Sequence, residues 1–325
     1  MLEHVSMAIN TKCNNSCIWC YDKASQKRDF DMSDQTFDHA LSLIKQAGCK
    51  HLTFLGGEPT LHSKLSDFVH KATANGLDSF VVSNGSGYTD SFLHSIEDIK
   101  QNVILNVSIE GATAETHDEI TKTKGSFEKL LNGMQFAKSK KFKLAAIMTL
   151  CKANMHELTD VINLLEKMQV KAMLINFANP PLNVSYSESV YLTAKQFSEQ
   201  IAISVKDITY SLDIAVGPPL PLCQLSSNFN KLLNDKKYTL NNGCQLLFGK
   251  AITIDPVGNI LLCNHLTEVK TGSINNIATV EELQTFLTNI DYQTRKKTQK
   301  YPFKKCNKCN ENEKCFGGCP LLYLE

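Results

Sequence analysis

The chain has 325 residues, of which 42% are hydrophobic and 21% are charged, and its formal net charge is +1. A balance so close to zero gives no electrostatic case for binding nucleic acid or an anionic membrane. No run approaches the roughly 20 apolar residues of a transmembrane helix, and the N-terminus lacks the basic and apolar regions of a signal peptide. Twelve cysteines without a secretion signal indicate reduced, metal-binding thiols rather than disulfides, so we expect a cytoplasmic protein.

Apolar residues follow patterns that predict strands and helices in alternation. The first strand contains Val5, Met7 and Ile9, and Ser33 is placed to cap the first helix. The strands predicted after it cover 51–55, 80–82, 103–109, 144–150 and 172–177, and the predicted helices include 37–47, 65–74, 91–96, 127–134, 155–168 and 194–208.

Six β–α units in series predict a parallel sheet with outer helices. Because six units are too few for a complete eight-stranded barrel, the expected fold class is α/β, with a partial (β/α)6 TIM-type barrel over residues 1–215. Such barrels carry their chemistry at the C-terminal ends of the strands. The run Gly217-Pro218-Pro219-Leu220-Pro221 breaks the pattern and predicts a domain joint. Seven of the cysteines lie between 223 and 319, so we expect a small cysteine-rich domain over 216–325.

Three cysteines follow the first predicted strand in a C-x3-C-x2-C spacing, Cys13, Cys17 and Cys20. A cubane iron–sulfur cluster has four irons, each of which takes one ligand besides its sulfides. Three thiolates would leave one iron open to bind a small molecule. A structural zinc site is the alternative, but zinc favours four closed ligands, and His4 and Cys49 are the nearest other candidates.

The run Gly56-Gly57-Glu58-Pro59 directly follows the second predicted strand. Two glycines let a backbone approach a ligand without Cβ clashes, and a carboxylate suits an ammonium group. Together with the cysteine spacing, this run resembles the radical S-adenosylmethionine (SAM) superfamily. The resemblance implies that the three cysteines hold a [4Fe-4S] cluster whose open iron chelates the amino and carboxylate groups of SAM. It also implies that Gly56, Gly57 and Glu58 bind the SAM amino group.

Two further strand ends resemble SAM-binding segments of this superfamily. Ser83 and Asn84 end the third strand, where relatives carry a polar pair that hydrogen-bonds the SAM ribose. An ordinary Asn-Gly turn is the alternative there. Ser108 ends the fourth strand within Ser108-Ile109-Glu110-Gly111, and the resemblance implies that its hydroxyl contacts the SAM carboxylate.

Two positions near this site have open alternatives. Relatives often have an arginine where this chain has Thr121, so Lys122 or Lys124 is expected to supply the charge, although neither reproduces the bidentate fork of an arginine. Trp19 precedes the last of the three cysteines, where the superfamily favours an aromatic residue. Its ring either stacks near the SAM adenine or covers the cluster from water.

The C-terminal cysteines form a second pattern, which resembles the SPASM domain that holds auxiliary [4Fe-4S] clusters in radical SAM maturases. A tight turn predicted at 255–259 would bring two of these cysteines together as a hairpin. The resemblance implies a metal-binding role for six of them, namely Cys244, Cys263, Cys306, Cys309, Cys315 and Cys319.

The number of auxiliary clusters stays open, because two clusters need eight ligands and seven cysteines lie in this region. With two clusters, the family pattern assigns Cys244, Cys263 and Cys319 to the first, with Cys223 as a candidate fourth ligand. It assigns the remaining Cys306, Cys309 and Cys315 to the second. A single cluster of the twitch type would instead use Cys244, Cys263, Cys306 and Cys309, and zinc is a further alternative.

Four side chains outside these patterns have the following interpretations. Cys223 is a cluster ligand, a catalytic hydrogen-atom donor to a substrate radical, or a buried inert thiol. Cys49, Cys151 and His117 are expected to be structural.

The resemblance implies that the core cluster gives one electron to SAM, which cleaves to methionine and a 5′-deoxyadenosyl radical that takes a hydrogen atom from the substrate. A reducing partner such as flavodoxin or ferredoxin would supply the electron. The expected substrate is a peptide or protein side chain that is cross-linked, oxidised or epimerised. A radical SAM dehydrogenase or epimerase of a small molecule, such as a sugar or aminoglycoside, is the alternative, and a non-catalytic iron–sulfur or zinc protein is the most distant one.

Overall fold

A computed structural model describes residues 2–22, 29–178, 190–233, 238–240, 251–267 and 269–298, together with 304–311, 315 and 317–319. None of the helices in these ranges is both long enough and apolar enough to cross a membrane. The strands are β1 His4–Ala8, β2 His51–Leu55, β3 Asp78–Ser83, β4 Val103–Ser108, β5 Lys143–Leu150, β6 Ala172–Phe177, β7 Asp213–Gly217, β8 Tyr238–Leu240, β9 Ala251–Ile254, β10 Asn259–Leu261 and β11 Lys270–Ser273. The α-helices are α1 Asp34–Gln46, α2 Leu65–Ala74, α3 Asp90–Ser95, α4 Ala114–Thr121, α5 Ser126–Ser139, α6 Leu158–Lys167, α7 Ala194–Val205, α8 Ser227–Leu232 and α9 Val280–Thr298.

The strands form one sheet in the order β11-β10-β9-β1-β2-β3-β4-β5-β6-β7-β8. From β1 to β8 each strand pairs in parallel with the next strand along the chain. β9 pairs in parallel with the other side of β1, and β10 and β11 add antiparallel pairs at that edge. A parallel sheet with helical crossovers confirms the expected α/β class and the barrel-type architecture.

For several elements, the bounds predicted from local sequence patterns are the bounds seen in the structure. β2, α2 and β6 have the predicted bounds, and Ser33 caps α1 by accepting a hydrogen bond from the backbone N–H of Thr36. The sheet is longer than six units, because β7 and β8 continue it in parallel. β8 has only three residues, and the alternation of Ile214 and Val216 in β7 ends at the Gly217-Pro218 break, so the periodic signal of both strands is weak.

The proline run lies directly after β7, as expected for a residue type that cannot donate to a strand ladder. Residues beyond it contribute β8 to one edge of the sheet and β9–β11 to the other. The same sheet therefore contains the predicted core and part of the predicted C-terminal region. The division into 1–215 and 216–325 stays a prediction.

Strand residues alternate between a face covered by helices and an inner face. On the covered face of β2, Leu52 and Phe54 are fully buried, and the rings of Phe37 and Phe68 stack beside them with centroids 4.0 Å apart. Burying a side chain of this size contributes about 1.5–3 kcal/mol. This packing holds the strands in register, so that their C-terminal ends meet at one edge.

The turn predicted at 255–259 joins β9 to β10 as a hairpin. The Asp255 carboxylate accepts hydrogen bonds from the backbone N–H groups of Val257 at 3.0 Å and Asn259 at 2.8 Å. Gly258 has a φ of +89°, which favours glycine. The turn is confirmed, and Cys263 lies just beyond β10; its predicted partner Cys244 lies outside the described residues.

Candidate active site

The predicted SAM-site residues meet at one edge of the sheet. The loop that carries Cys13, Cys17 and Cys20, called the cysteine loop below, follows β1, and the Gly56-Gly57-Glu58 turn follows β2. Ser83 ends β3 and Ser108 ends β4. The C-terminal ends of parallel strands share an edge, which is where barrels of this kind place their chemistry.

The cysteine loop is closed at its base by contacts of the chain with itself. The backbone N–H of Thr11 donates to the carbonyl of Phe30 at 2.9 Å, and that of Phe30 donates to Thr11 Oγ1 at 3.0 Å. Lys12 Nζ lies 2.9 Å from Asp29 Oδ1. The loop therefore begins and returns at the same point beside β1.

The same loop is fastened to the end of α4. The backbone N–H groups of Ser16 and Ile18 donate to the carbonyls of Thr121 and Ile120, each at 2.9 Å. These two bonds fix the segment between Cys13 and Cys20 against a helix that itself follows β4.

At the position where relatives often have an arginine, Thr121 is buried and its hydroxyl lies 2.7 Å from Ser126 Oγ. Lys122, with a φ of 53°, and Lys124 are exposed just after it. The structure thus places both lysines beside the cysteine loop, and their contact with the SAM carboxylate stays a prediction.

Cys13, Cys17 and Cys20 form no disulfide and are partly exposed. Burial is the largest cause that raises the pKa of Cys13 to about 11, and the Glu58 carboxyl and the Cys20 thiol add to it. Burial is also the largest cause that raises the pKa of Cys17. The Glu110 carboxyl and the thiols of Cys20 and Cys13 raise it further. A bound metal must displace the protons of these three thiols, because only thiolates are ligands.

The donor set fits an iron–sulfur cluster. Thiolates are the ligands that such clusters take, and a cubane spreads them over separate irons. Across the described ranges, no group of three or more His, Cys, Asp or Glu side chains is placed to hold a metal ion. The cluster prediction therefore rests on the type and spacing of the thiol ligands, and zinc stays the alternative.

The glycine turn packs directly on the start of the cysteine loop. The backbone N–H of Gly57 donates to the carbonyl of Asn10 at 3.1 Å, and that of Glu58 donates to the carbonyl of Lys12 at 2.7 Å. A Cβ on Gly56 would overlap Asn10 Oδ1, and a Cβ on Gly57 would overlap the Lys12 carbonyl. The chain's own close approach therefore requires both glycines, in addition to any approach to a ligand.

The buried carboxylate of Glu58 accepts four hydrogen bonds from its own chain. Oε1 accepts from the Thr60 N–H at 3.1 Å, the Thr60 hydroxyl at 2.5 Å and the Ser83 hydroxyl at 2.7 Å. Oε2 accepts from the Asn84 N–H at 2.8 Å. Burial raises the pKa of Glu58, and these bonds oppose that rise. The carboxylate thus ties the turn after β2 to the end of β3, and its direct contact with SAM stays a prediction.

Asn84 links the end of β3 to the cysteine loop. Its amide nitrogen donates to Asn14 Oδ1 at 2.7 Å, the Asn14 amide donates to Ser86 Oγ at 2.8 Å, and Ser86 Oγ donates back to Asn84 Oδ1 at 2.6 Å. Ser83 is 2% exposed and also accepts from the Gly85 N–H at 3.0 Å. The turn is present and its side chains lie at the site, while the ribose contact stays a prediction.

β4 brings in a carboxyl group to which the sequence analysis assigned no role. Ser108 is half-buried on the inner face, and Glu110, two residues later, is 1% exposed. Glu110 Oε2 accepts from the Thr149 N–H at 3.2 Å, whereas Oε1 has no hydrogen-bond partner within the described part of the chain. Burial raises the pKa of Glu110 to about 8. The sequence signal that could have identified Glu110 as a site residue is its place as an acidic residue just after a buried strand.

Trp19 packs on a small apolar cluster formed by Ile120, Cys151, Ala178 and Tyr191. Its indole nitrogen is buried, and no described residue accepts a hydrogen bond from it. This placement covers one side of the cysteine loop, and stacking on adenine stays open. The expectation that Cys151 is structural agrees with its burial there, and Cys49 and His117 are buried as well.

The C-terminal cysteines that the structure describes lie on several segments. Cys263 follows β10, and His265 stacks on Tyr21 of the cysteine loop with ring centroids 4.3 Å apart. Cys306 is buried and Cys309 is exposed, with the Cys309 N–H donating to the Cys306 carbonyl at 3.1 Å.

Cys315 and Cys319 dock on the segment after the proline joint. Cys315 Sγ accepts from the Leu222 N–H at 3.4 Å, and the Cys319 N–H donates to the Pro219 carbonyl at 2.8 Å. Cys223 directly follows Leu222 and is exposed, so the interpretation of a buried thiol is wrong. The ligand and hydrogen-donor interpretations both stay open.

Residues 7–165 match the model of the radical SAM superfamily. The chain therefore contains a radical SAM domain, which runs from β1 into α6 and includes the cysteine loop and the strand ends described above.

Its relatives act on both small molecules and peptides. An AdoMet-dependent heme synthase of Oleidesulfovibrio alaskensis is 24% identical over 196 residues, which are 60% of this chain and 50% of that protein. A PqqA peptide cyclase of Rhizobium meliloti is 21% identical over 314 residues, or 95% of this chain and 79% of that protein. The crystal structure of Streptococcus suis SuiB bound to the precursor peptide SuiA has a TM-score of 0.72 and 13% identity, over 99% of this chain and 72% of that one. Identity this low shows the shared fold alone.

Proposed function

We propose that this chain is a radical SAM oxidoreductase or maturase that modifies a peptide or protein side chain by cross-linking, oxidation or epimerisation. The observation that carries the proposal is one hydrogen-bonded unit at the strand ends, in which Asn14, Glu58 and Asn84 join the cysteine loop to β2 and β3. A purely structural metal site has no need for a glycine turn and a polar strand end beside its ligands.

Cys13, Cys17 and Cys20 would hold the [4Fe-4S] cluster, and the backbone of residues 56–58 would hold the SAM amino group. When bound, the cluster and SAM supply the 5′-deoxyadenosyl radical that takes a hydrogen atom from the substrate. Ser108 on the inner face would orient the SAM carboxylate, with a charge from Lys122 or Lys124. Glu58 shapes this site because it fixes the turn on which the SAM amine rests.

The C-terminal cysteines would hold one or two auxiliary [4Fe-4S] clusters. Cys263 is joined to the cysteine loop through the Tyr21–His265 stack. Cys223, which adjoins the segment that holds Cys315 and Cys319, would complete the ligand set. A flavodoxin or ferredoxin would supply electrons to the core cluster.

A peptide substrate is favoured because the similarity to the peptide cyclase extends over 95% of the chain. A small-molecule substrate is the second candidate, because the heme synthase is 24% identical across the region that contains the core site.

The substrate test uses the anaerobically reconstituted full chain with SAM and dithionite. We would add, in separate reactions, the peptides encoded beside its gene and a panel of sugars and porphyrins, and follow each compound by mass spectrometry. A mass change in a peptide that depends on SAM supports the proposal. A mass change confined to a small molecule supports the second candidate. If SAM is cleaved to 5′-deoxyadenosine but no compound in either panel changes mass, both substrate assignments are contradicted.

A further inference from the structure

An open cavity of about 930 Å³ lies against the inner face of the sheet. Its walls include Lys143, Ala172 and Asp213, which are the first residues of β5, β6 and β7. The cavity therefore lies at the N-terminal ends of the strands, opposite the candidate active site. Pockets that bind small molecules have volumes of roughly 300–1,000 Å³.

The cavity exists because three neighbouring strands carry alanine on the same face. Ala145 pairs with Ala172, and Leu174 pairs with Ala215. Paired residues of neighbouring strands share a face, as do residues two apart on one strand, so all four side chains point into the barrel. Ala172 is exposed although its strand lies inside the sheet, because the space in front of its methyl group is open.

The remaining wall is apolar on one side. Phe80 and Ile104 pair across β3 and β4 and complete the lining with Leu174. His4 and His51 lie on the same face beside the Phe80 ring, with ring centroids 6.3 and 5.9 Å away. An apolar ligand would therefore meet Phe80 with these two rings on its far side along the sheet.

The mouth of the cavity is positively charged. Lys138, Lys143 and Lys171 line it together with one carboxylate, that of Asp213, and all four residues are exposed. Among the lining residues that the structure describes, three ammonium groups against one carboxylate leave an excess of two positive charges. Lys143 Nζ donates to the carbonyl of Gln101 at 2.5 Å, which holds its charge at the rim.

We propose that this cavity is a binding site for an organic carboxylate with an apolar body. The carboxylate would lie at the mouth between Lys138 and Lys171, and the apolar body would lie against the three alanines and Leu174. This site is separate from the SAM site, and the inference does not rest on the proposed function.

The test uses the fluorescent probe 1-anilinonaphthalene-8-sulfonate, an anion with an aromatic body, and displaces it from the full chain with decanoate or 1-decanol. We expect one saturable probe site per chain, which decanoate empties and decanol at equal concentration does not. Lys138→Glu and Lys171→Glu should each weaken probe binding about tenfold, because they place a carboxylate beside the bound anion. Lys129→Glu is the matched control, since Lys129 is an exposed lysine in the first turn of the same helix, α5.

Ala172→Phe should abolish probe binding, because it places a ring in open space inside the cavity. Thr239→Phe, at an exposed lining position on β8, is the second variant if the first unfolds on thermal denaturation. Equal displacement by decanol, equal affinity in the lysine variants, or binding that persists in a folded cavity-filling variant would each overturn the proposal. Competition of the probe with SAM would also overturn it, because the probe would then be in the active site.

Discussion

The backbone N–H of Glu110 donates a hydrogen bond to Nδ1 of His117 at 3.1 Å. This bond requires a neutral imidazole whose proton is on Nε2. Burial lowers the pKa of His117 to about 4 and raises that of Glu110 to about 8. The interior below the cysteine loop therefore disfavours charge on both side chains.

The pH dependence of stability should reflect Glu110. Between its ordinary pKa of 4.5 and the folded value of about 8, the folded state keeps a proton that the unfolded state has lost. Stability therefore falls as the pH rises through this window, by up to about 1.4 kcal/mol per pH unit. His117 has the opposite effect, because the unfolded state gains its proton as the pH falls from 6.5 toward 4 and the folded state does not.

Above pH 6.5, the ordinary histidine pKa, His117 is largely neutral in both the folded and the unfolded chain. The pH dependence of stability there reflects Glu110 and not His117. We expect Glu110→Gln to flatten the decline in unfolding free energy between about pH 6.5 and 8, measured by urea denaturation of the reduced, metal-free chain. Glu128→Gln, at an exposed position of α5, should leave the decline unchanged. Identical slopes in Glu110→Gln and the unchanged chain would contradict this prediction.

Replacing Glu58 by Gln should destabilise the chain. The amide nitrogen of Gln is a donor, so it cannot accept the hydrogen bonds that one carboxylate oxygen of Glu58 receives. Leaving a buried donor unpaired costs about 1–3 kcal/mol, which thermal or urea unfolding would measure. Glu119→Gln, on the exposed side of α4, is the control. A loss no larger than that of the control would show that the carboxylate does not brace the turn.

Replacing Cys13, Cys17 and Cys20 together by Ala should abolish 5′-deoxyadenosine formation from SAM under dithionite. The cluster then has no thiolate ligands on the loop. Cys49→Ala is the matched control, because Cys49 is a buried thiol whose Sγ donates to the His51 carbonyl at 3.3 Å, at the start of β2. Unchanged SAM cleavage in the triple variant would end the radical SAM assignment of these cysteines.

Iron analysis should separate core from auxiliary clusters. Anaerobically reconstituted chain should bind about eight to twelve irons, at four per cubane, and the triple core variant should lose about four of them. About four irons in the unchanged chain and none in the triple variant would rule out auxiliary clusters.

Cys223→Ala distinguishes the two open roles of that thiol. As a cluster ligand, its loss should lower the auxiliary iron content or change the cluster spectra. As a hydrogen donor, its loss should leave iron content and SAM cleavage intact and stop net epimerisation of the substrate. We expect the ligand outcome, because thiolates are the preferred ligands of such clusters. Full iron content with full turnover would exclude both roles.

Part of the fold was predictable because its signals are local. β2, α2 and β6 have the predicted bounds, since each has a clear apolar period. β8 was missed because a strand of three residues offers too few alternations to stand out. β7 was missed because its two alternating apolar residues, Ile214 and Val216, run directly into the Gly217-Pro218 break. Their place in the sheet follows from pairing with β6, which no local pattern encodes.

The sequence by itself determined the donor set and its order along the chain. Three thiols within eight residues, followed by a glycine-rich acidic turn after a strand, define the chemistry of the site because ligand spacing is a local property. Tertiary structure alone decided that Asn84 reaches Asn14, 70 residues away, and that the Glu58 carboxylate is used to join two strand ends. It also decided that Ala145, Ala172 and Ala215 face one cavity. These relationships depend on strand register, which is set by packing over the whole sheet and not by the residues beside each position.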